Sequence, residues 1–368
     1  MHCSTHGRVG SAARSCKHQS TSLAGRVCAR AAALAFASLG ADAAGAEEAG
    51  PSGVSFYGLV GLDVASTKRS DATPRALAMQ SAGLNGPFWV VGGREDLGGG
   101  LKSVFALESF FQTTTGAAGR LSTEPLFSRN TYVGLEGGYG RATLGRNTKL
   151  LYLSEQWINP FSTSILFSLL VMQTTQPQFG GATLGDTFWN NVLQYATPNL
   201  SGWSTIAHVG IGGLAGSNAA NNLALSVKYE GGPMTAVAMA QNDGIANATT
   251  ATPSPSPWAT AQLAWLAGGA YDLKPVKVYG AAQGTDGFST VGQKSLTWSS
   301  GLSWSTTPSG SVLAALAKTR VSAPGKADTR RNTATFGYDY CLSKRTDLYA
   351  VYVYGKQTGQ GAGQNALR

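Results

Sequence analysis

Short segments in which apolar and polar residues alternate recur along most of the chain. The clearest is 92–108, where a Gly-rich turn precedes a strand with Leu101 and Leu107 on one face and Lys102 and Glu108 on the other. Side chains of a strand point alternately to its two sides, so this segment presents one apolar and one charged surface. Two such surfaces joined by a minimal turn are typical of a hairpin in a membrane barrel, which meets lipid on one side and water on the other.

The same alternation predicts about fifteen short strands between residues 54 and 355, separated by clusters of Gly, Pro, Asn and Ser. Tight turns such as 137–140 and 230–233 alternate with longer polar loops, an asymmetry that outer-membrane barrels have. A long irregular stretch, 148–188, follows the fifth strand. Residues 346–354 are apolar or aromatic on both faces, which indicates either a subunit contact or an imperfect pattern.

Composition narrows the class of protein without deciding it. The 368 residues include 48 Gly, only 13% are charged, and the mean hydropathy is −0.05. A soluble protein carries about a quarter charged residues, whereas a membrane-spanning helix needs about 20 consecutive apolar residues, which the chain lacks. A transmembrane β-barrel and a secreted β-sandwich both fit these values, and the alternation of short turns with long loops favours the barrel.

The N-terminal part of the chain has the pattern of an export signal. Arg26 and Arg30 precede a short apolar stretch, and two A-x-A sites follow. We expect cleavage after Ala46, or alternatively after Ala43, so that 1–46 is an N-terminal extension with a signal peptide and 47–368 is the barrel domain. Cleavage at Ala46 would lower the formal net charge from +9 to +5. The remaining basic residues are scattered, and nucleic-acid binding is therefore not predicted.

The sequence contains no constellation that would support catalysis. His208 is the one histidine beyond residue 46, it lies in a plain strand pattern, and no G-x-S-x-G motif occurs. We therefore predict neither an enzyme nor a metal or cofactor site. A β-rich binding module or adhesin would share the composition, but nothing in such a protein requires the asymmetry between turns and loops.

Five segments resemble, in the same order, those of the Gram-negative general diffusion porins of the neisserial and β-proteobacterial type. The resemblance implies an all-β, 16-stranded-type antiparallel transmembrane β-barrel whose third loop, 148–188, folds into the lumen. It also implies an outer-membrane, homotrimeric, water-filled channel for small hydrophilic solutes and ions, surrounded by outer-membrane lipid. The matching segments are 54–60, 95–108, 126–146, 191–203 and 342–349.

The resemblance also indicates which residues line the pore. Arg129 matches an arginine on the barrel wall, and Arg146 matches a second basic position. Alternation alone places Arg146 beside Leu144 on the outer face unless the strand bulges. A transverse field between basic wall residues and acidic loop residues would set ion preference. The remaining candidates are Asp63, Lys102 and Glu108, on the water-facing side of their strands, and Glu155 and Asp186, the two acidic residues of the loop.

Three departures from the family pattern accompany the resemblance. Residues 89–93 supply no basic side chain, which would weaken anion preference, and the apolar run 164–172 would either form a short helix in the lumen or contact a neighbouring subunit. Residues 360–368 are loop-like where the family has a final strand ending in an aromatic residue. We expect a truncated copy, or else a strand count wrong by one. A substrate-selective channel and a truncated, non-functional porin are therefore alternatives to a general porin.

Overall fold

The computed structural model describes residues 52–69, 75–81, 83–175, 186–213, 221–244, 261–288, 292–359 and 366–367. The expected export segment, 1–46, lies outside these ranges. The described residues form a nearly all-β structure with two short helices, neither of which is long and apolar enough to cross a membrane. Every strand pairing among them is antiparallel.

The described strands belong to one continuous sheet, and both helices pack against it. They are β1 Gly53–Leu59, β2 Asp63–Arg69, β3 Ala76–Gln80, β4 Phe88–Gly98, β5 Leu101–Phe110, β6 Thr131–Gly137, β7 Gly140–Thr148, α1 Leu150–Trp157, α2 Leu169–Thr175, β8 Phe188–Ala196, β9 Trp203–Gly210, β10 Asn222–Gly231, β11 Met234–Gly244, β12 Ala261–Asp272, β13 Val276–Phe288, β14 Gln293–Ser305, β15 Gly310–Ser322, β16 Thr329–Cys341, β17 Asp347–Thr358 and β18 Ala366–Leu367.

The strands form one continuous wall. β1 pairs with β4 and β2 pairs with β3, so β1 and β2 share one position in the wall, and β3 and β4 share the next. Each strand from β5 to β17 then pairs with the one before it, which gives the fifteen full positions predicted from the sequence. β18 has two residues, and its Leu367 pairs with Tyr354 of β17 and with Lys68 of β2. Within the described residues, no full-length strand closes the wall between β17 and β2.

The wall is apolar outside and polar inside, the reverse of a soluble protein. On β15 the outward Leu316 is 61% exposed, whereas the inward Thr319 is 3% exposed and shares a 2.9 Å hydrogen bond with Thr297 of β14. An apolar surface of this kind is stable in hydrocarbon, where the antiparallel ladder satisfies the backbone groups. The two ends of the barrel also differ, because short turns join β4 to β5 and β6 to β7 while a 39-residue stretch, 149–187, joins β7 to β8.

The described part of that connection before β8, residues 149–175, lies inside the barrel, as predicted for the third loop. α1 packs on the inner faces of β10, β11 and β12, where Leu150 and Leu153 contact an apolar cluster that includes Val237 and Leu266. The backbone amide of Leu151 donates a 3.1 Å hydrogen bond to Gln241. Apolar packing and hydrogen bonding together attach the loop to this side of the lumen.

The apolar run 164–172 belongs to the same inserted loop. It contributes α2 and the turn before it, and Phe167, Leu169 and Met172 pack against inward residues of β15 and β17. Val353, on the inner face of β17, is 3% exposed because it belongs to this contact. The packing explains why β17 is apolar on both faces: one face meets the loop and the other lies on the outer wall. The run 164–172 therefore lies in the lumen and forms part of a short helix there, which was the first of the two possibilities inferred from the sequence.

Candidate functional site

Arg129 lies on the inner wall immediately before β6, where it faces the inserted loop. Its Nε donates a 3.0 Å hydrogen bond to Glu108 of β5, and its backbone amide donates to the Glu108 carbonyl at 3.2 Å. The guanidinium carbon is 4.0 Å from the ring centre of Phe88 and 4.7 Å from that of Phe110. An ion pair with a carboxylate and stacking on two rings hold this guanidinium in one orientation.

Glu108 is more deeply buried in the wall than its partner Arg129. Its side chain is 4% exposed, and its Oε2 also accepts a 3.2 Å hydrogen bond from Asn130. The carboxylate is therefore covered by its two donors, while the side chain of Arg129 is 14% exposed. Because the negative partner is the more deeply buried of the two, a solute in the channel meets the positive charge first.

A second cluster joins the wall to the end of the inserted loop. Asp186, immediately before β8, accepts a 2.6 Å hydrogen bond from Arg120 and a further bond from Arg146. Arg146 also donates to the carbonyl of Ser128 at 2.9 Å and to Asn190 at 2.6 Å. Asp186 thus bridges two arginines from different parts of the chain and fixes the point at which the loop rejoins the wall.

These contacts lower the pKa of Asp186 and raise the pKa of Arg120. Burial alone would raise the pKa of Asp186, but the charges of Arg120 and Arg146 lower it below its usual value. Burial alone would lower the pKa of Arg120, but its hydrogen bond with Glu124 and the charge of Asp186 raise it. Both shifts favour the charged forms of Asp186 and Arg120.

A β-bulge explains why Arg146 reaches this cluster. Leu144 is 57% exposed on the outer face, and strict alternation would place Arg146 beside it. The pairing of β7 with β8 shifts between Gly145 and Asn147, however, and Gly145 has a φ of +143°. A bulge changes the direction of the residues that follow it. Arg146 accordingly contacts Asp186 and the ring of Phe188, which is 5.2 Å away.

The gap between this wall and the inserted loop is narrow and polar. It is a cavity of about 30 Å³ that Arg129 lines together with Phe88, Phe110 and Phe188. The loop contributes Tyr152, Leu153, Gln156 and Thr163, and the wall adds Asn85, Gly86, Asn130 and Thr148. Among these described lining residues, Arg129 is the one that carries a charge.

The other three candidates lie away from this gap. Lys102 is the second residue of β5, beside the tight turn, and pairs across the sheet with Asp96 and Glu136. Asp63 begins β2, opposite Gln80 of β3. The structure therefore brings together Glu108, Arg129, Arg146 and Asp186, and it places Asp63, Lys102 and Glu155 elsewhere.

Glu155 is enclosed between α1 and α2. Its residue exposure is 0%, and it accepts a 2.9 Å hydrogen bond from the hydroxyl of Thr174. Burial raises the pKa of Glu155 to about 8. The carboxyl group is therefore mostly protonated at neutral pH and supplies little charge to a transverse field.

Sequence reasoning missed two members of the arginine cluster, Arg120 and Glu124. Both lie in the loop between β5 and β6, where no periodic pattern shows which way a side chain points. Glu124 accepts hydrogen bonds from the backbone amide of Arg120 at 2.6 Å and from its Nε at 2.8 Å. The one feature of the sequence that indicates this ion pair is the spacing of four residues between the opposite charges of Arg120 and Glu124.

Comparisons with known proteins agree with this architecture. Residues 31–360 match the family of Gram-negative porins. An outer membrane porin of Bordetella pertussis is 26% identical over 320 residues, which cover 74% of this chain and 77% of the relative. Outer membrane porin protein 32 of Delftia acidovorans is 26% identical over 314 residues, with coverage of 83% and 84%.

Solved structures share the fold. An anion-selective porin from Comamonas acidovorans superposes with a TM-score of 0.69 at 22% identity, covering 86% of this chain and 97% of its own. The trimer form of OmpT from Vibrio cholerae has a TM-score of 0.60 at 13% identity, with coverage of 85% and 93%. The chain belongs to the Gram-negative porin family. It is an outer-membrane porin that forms a channel for the passive diffusion of small hydrophilic solutes and ions.

Proposed function

We propose that this channel prefers small anions and that the gap between Arg129 and the inserted loop is where the preference arises. The observation that carries the proposal is that Arg129 is the one charged side chain among the described residues lining the gap. Its counter-charge, Glu108, is buried behind it. The electric field in the gap is therefore positive, although the ion pair as a whole is neutral.

The gap can also replace part of the hydration shell of a passing solute. Asn130 and Gln156 offer amide N–H groups from opposite sides of the same cavity, whereas the hydroxyls of Tyr152 and Thr163 already donate to the carbonyl of Thr163 and to Asn85. A small anion would exchange water for these amide donors and for the guanidinium of Arg129, whereas a cation would find no carboxylate at the surface of the gap. Weak contacts of this kind allow a solute to leave as readily as it enters, as diffusion requires.

One structural neighbour supports this proposal. The Comamonas acidovorans protein is described as an anion-selective porin, and it shares the fold over 86% of this chain. The absence of a basic side chain at 89–93 does not remove the positive field, because Arg129 and the Arg120–Asp186–Arg146 cluster lie on the same wall.

The proposal is tested by planar-bilayer recording of the full chain across a potassium chloride gradient. The reversal potential should show a chloride preference, and Arg129→Gln should reduce the ratio of chloride to potassium permeability at least about twofold, because one exposed charge leaves the gap. Lys344→Gln removes the same charge in the exposed turn after β16 and should leave the ratio unchanged. An unchanged ratio in Arg129→Gln, or cation preference in the unaltered protein, would refute the proposal.

We also infer that the working unit is a homotrimer without catalytic activity. One structural neighbour was solved in a trimer form. His208, the one histidine beyond residue 46, shares a 2.7 Å hydrogen bond with Gln194 on the buried side of β9 and β8, where it has no access to a solute. A substrate-selective channel is the second candidate. It would show current block that saturates with one class of solute, whereas a general porin would show none.

A further inference from the structure

The outer face of β15, β16 and β17 carries basic side chains near the long-loop ends of these strands. Lys318, Arg330 and Lys356 are all exposed there. Asn332 of β16 is paired with Lys318 on one side and with Lys356 on the other, and Arg330 lies two residues from Asn332 on the same face. The three cations therefore form one cluster, on adjacent strands, that we call the basic triad.

The basic triad carries positive charge that the surrounding described residues do not neutralise. Two other basic residues on this face are paired: Arg320 with Asp328 at 2.6 Å and Lys294 with Asp286 at 2.8 Å. Lys318, Arg330 and Lys356 form no ion pair with the described residues. Cations on the lipid face of a barrel are costly at the bilayer midplane and tolerated near the interface, so this density of charge points to an anionic neighbour.

An apolar groove lies directly below the basic triad, toward the middle of the barrel wall. Its volume is about 550 Å³, and Lys318 and Asn332 form the edge of the groove that is nearest the long-loop end of the strands. Trp298, Leu316 and Tyr354 line it and are 60%, 61% and 43% exposed. Ala334 is the small residue opposite Leu316 and Tyr354 in the strand register. Tryptophan and tyrosine on a membrane protein mark the level of the lipid headgroups.

We propose that the basic triad and the groove bind a lipid of the surrounding membrane leaflet whose phosphate headgroup carries a net negative charge. The phosphate would lie on Lys318, Arg330 and Lys356, and the first part of an acyl chain would fill the groove between Trp298 and Tyr354. One amphipathic molecule satisfies both halves of the surface, because its charge and its chain are joined at the height where the cations meet the groove. Anionic headgroups gain roughly fivefold in affinity for each basic residue near a membrane surface. The site is distinct from the channel and does not depend on its ion preference.

Native mass spectrometry of the refolded full chain in detergent tests this proposal, with diphosphoryl lipid A as the probe. The unaltered protein should retain one lipid A, and it should retain phosphatidylcholine much more weakly. The triple variant Lys318→Gln, Arg330→Gln, Lys356→Gln should lose at least tenfold in affinity for lipid A. Ala334→Trp keeps every charge but fills the groove, and it should weaken binding as well.

The matched control is the triple variant Arg94→Gln, Lys274→Gln, Lys344→Gln, which removes three exposed cations near short turns. Unchanged lipid A binding in this control supports a local site. An equal loss in both triple variants would overturn the proposal in favour of general electrostatic attraction. Displacement of lipid A by excess inorganic phosphate would overturn it in favour of a free-anion site. A crosslink between two copies through Trp298→Cys would overturn it in favour of a second protein chain.

Discussion

The orientation and the pKa of single side chains in this porin depend on the groups that surround them. Arg129 has a defined orientation because Glu108 pairs with it and Phe88 and Phe110 stack on it. Glu155 is a glutamate like Glu108, but it lies in an enclosed pocket with Thr174, and burial raises its pKa. Two carboxyl groups that look alike in the sequence thus have different surroundings, because Glu108 pairs with a guanidinium whereas Glu155 is buried without a cationic hydrogen-bond donor, and this burial raises its pKa.

The raised pKa of Glu155 makes loop stability depend on pH. Because burial raises the pKa of Glu155 to about 8, above its ordinary value of 4.5, the folded state binds more protons than the unfolded state between these two values. The contribution of Glu155 to stability is therefore fully present below about pH 4.5 and is lost as the pH rises through about 8. Urea unfolding of Glu155→Gln in detergent should show a smaller decrease between pH 5 and pH 8. An identical slope in the variant and the unaltered protein would contradict the assignment.

The bulge at Gly145 gives a second prediction at the level of one residue. Gly145 has a φ of +143°, and a Cβ there would approach the carbonyl oxygen of Thr131 to 2.2 Å. Gly145→Ala should lower the free energy of unfolding by roughly 1–3 kcal/mol, as expected for a side chain in a disfavoured backbone conformation. Gly138→Ala is the control, because a Cβ at Gly138 has no neighbour within 4 Å. Equal urea midpoints for the two variants would show that the bulge is unnecessary.

Among the elements, the inserted loop has its own apolar interface with the wall. Phe161 is 2% exposed and belongs to the cluster that joins the loop to β15 and β17. Phe161→Ala should weaken this interface and increase both single-channel conductance and its noise, because the loop is less firmly held. Truncation of a buried phenylalanine costs roughly 3–5 kcal/mol.

Phe336→Ala provides the control for that experiment. Phe336 is 58% exposed on the outer face of β16, next to Gly337, whose added Cβ would lie 3.3 Å from Phe161. The same chemical change on the lipid side should leave conductance and noise unaltered. If both variants behave alike, the loop is held by something other than its apolar contact.

The sequence predicts the wall better than the site, for a physical reason. Alternation with a period of two reports which side of a strand meets lipid, so the strand count and the water-facing side of Glu108 follow from pattern. A bulge breaks that rule locally, and Arg146 could be placed only as conditional on one. Arg120 and Glu124 lie in a loop, where direction is set by contacts with distant residues such as Asp186, and no local pattern contains that information.

At the scale of the whole molecule, the proposed homotrimer gives a further prediction. Reconstituted channels should close in three equal conductance steps, and crosslinking of detergent-solubilised protein should yield a species of three chains. The trimer form of the Vibrio cholerae neighbour supports this expectation. Single-step closure together with a one-chain species would contradict it.

The apolar packing of the inserted loop has a consequence for how the channel would sieve molecules. α1 and α2 occupy the side of the lumen formed by β10 to β17, and the polar gap at Arg129 faces β4 to β6. The proposed bottleneck at Arg129 is eccentric, because it is bounded by one arc of the barrel instead of its full circumference. Size exclusion and the passage of bulky antibiotics would therefore respond to substitutions on the arc formed by β4 to β6. The arc formed by β10 to β17 could diverge in sequence as long as it still held the loop in place.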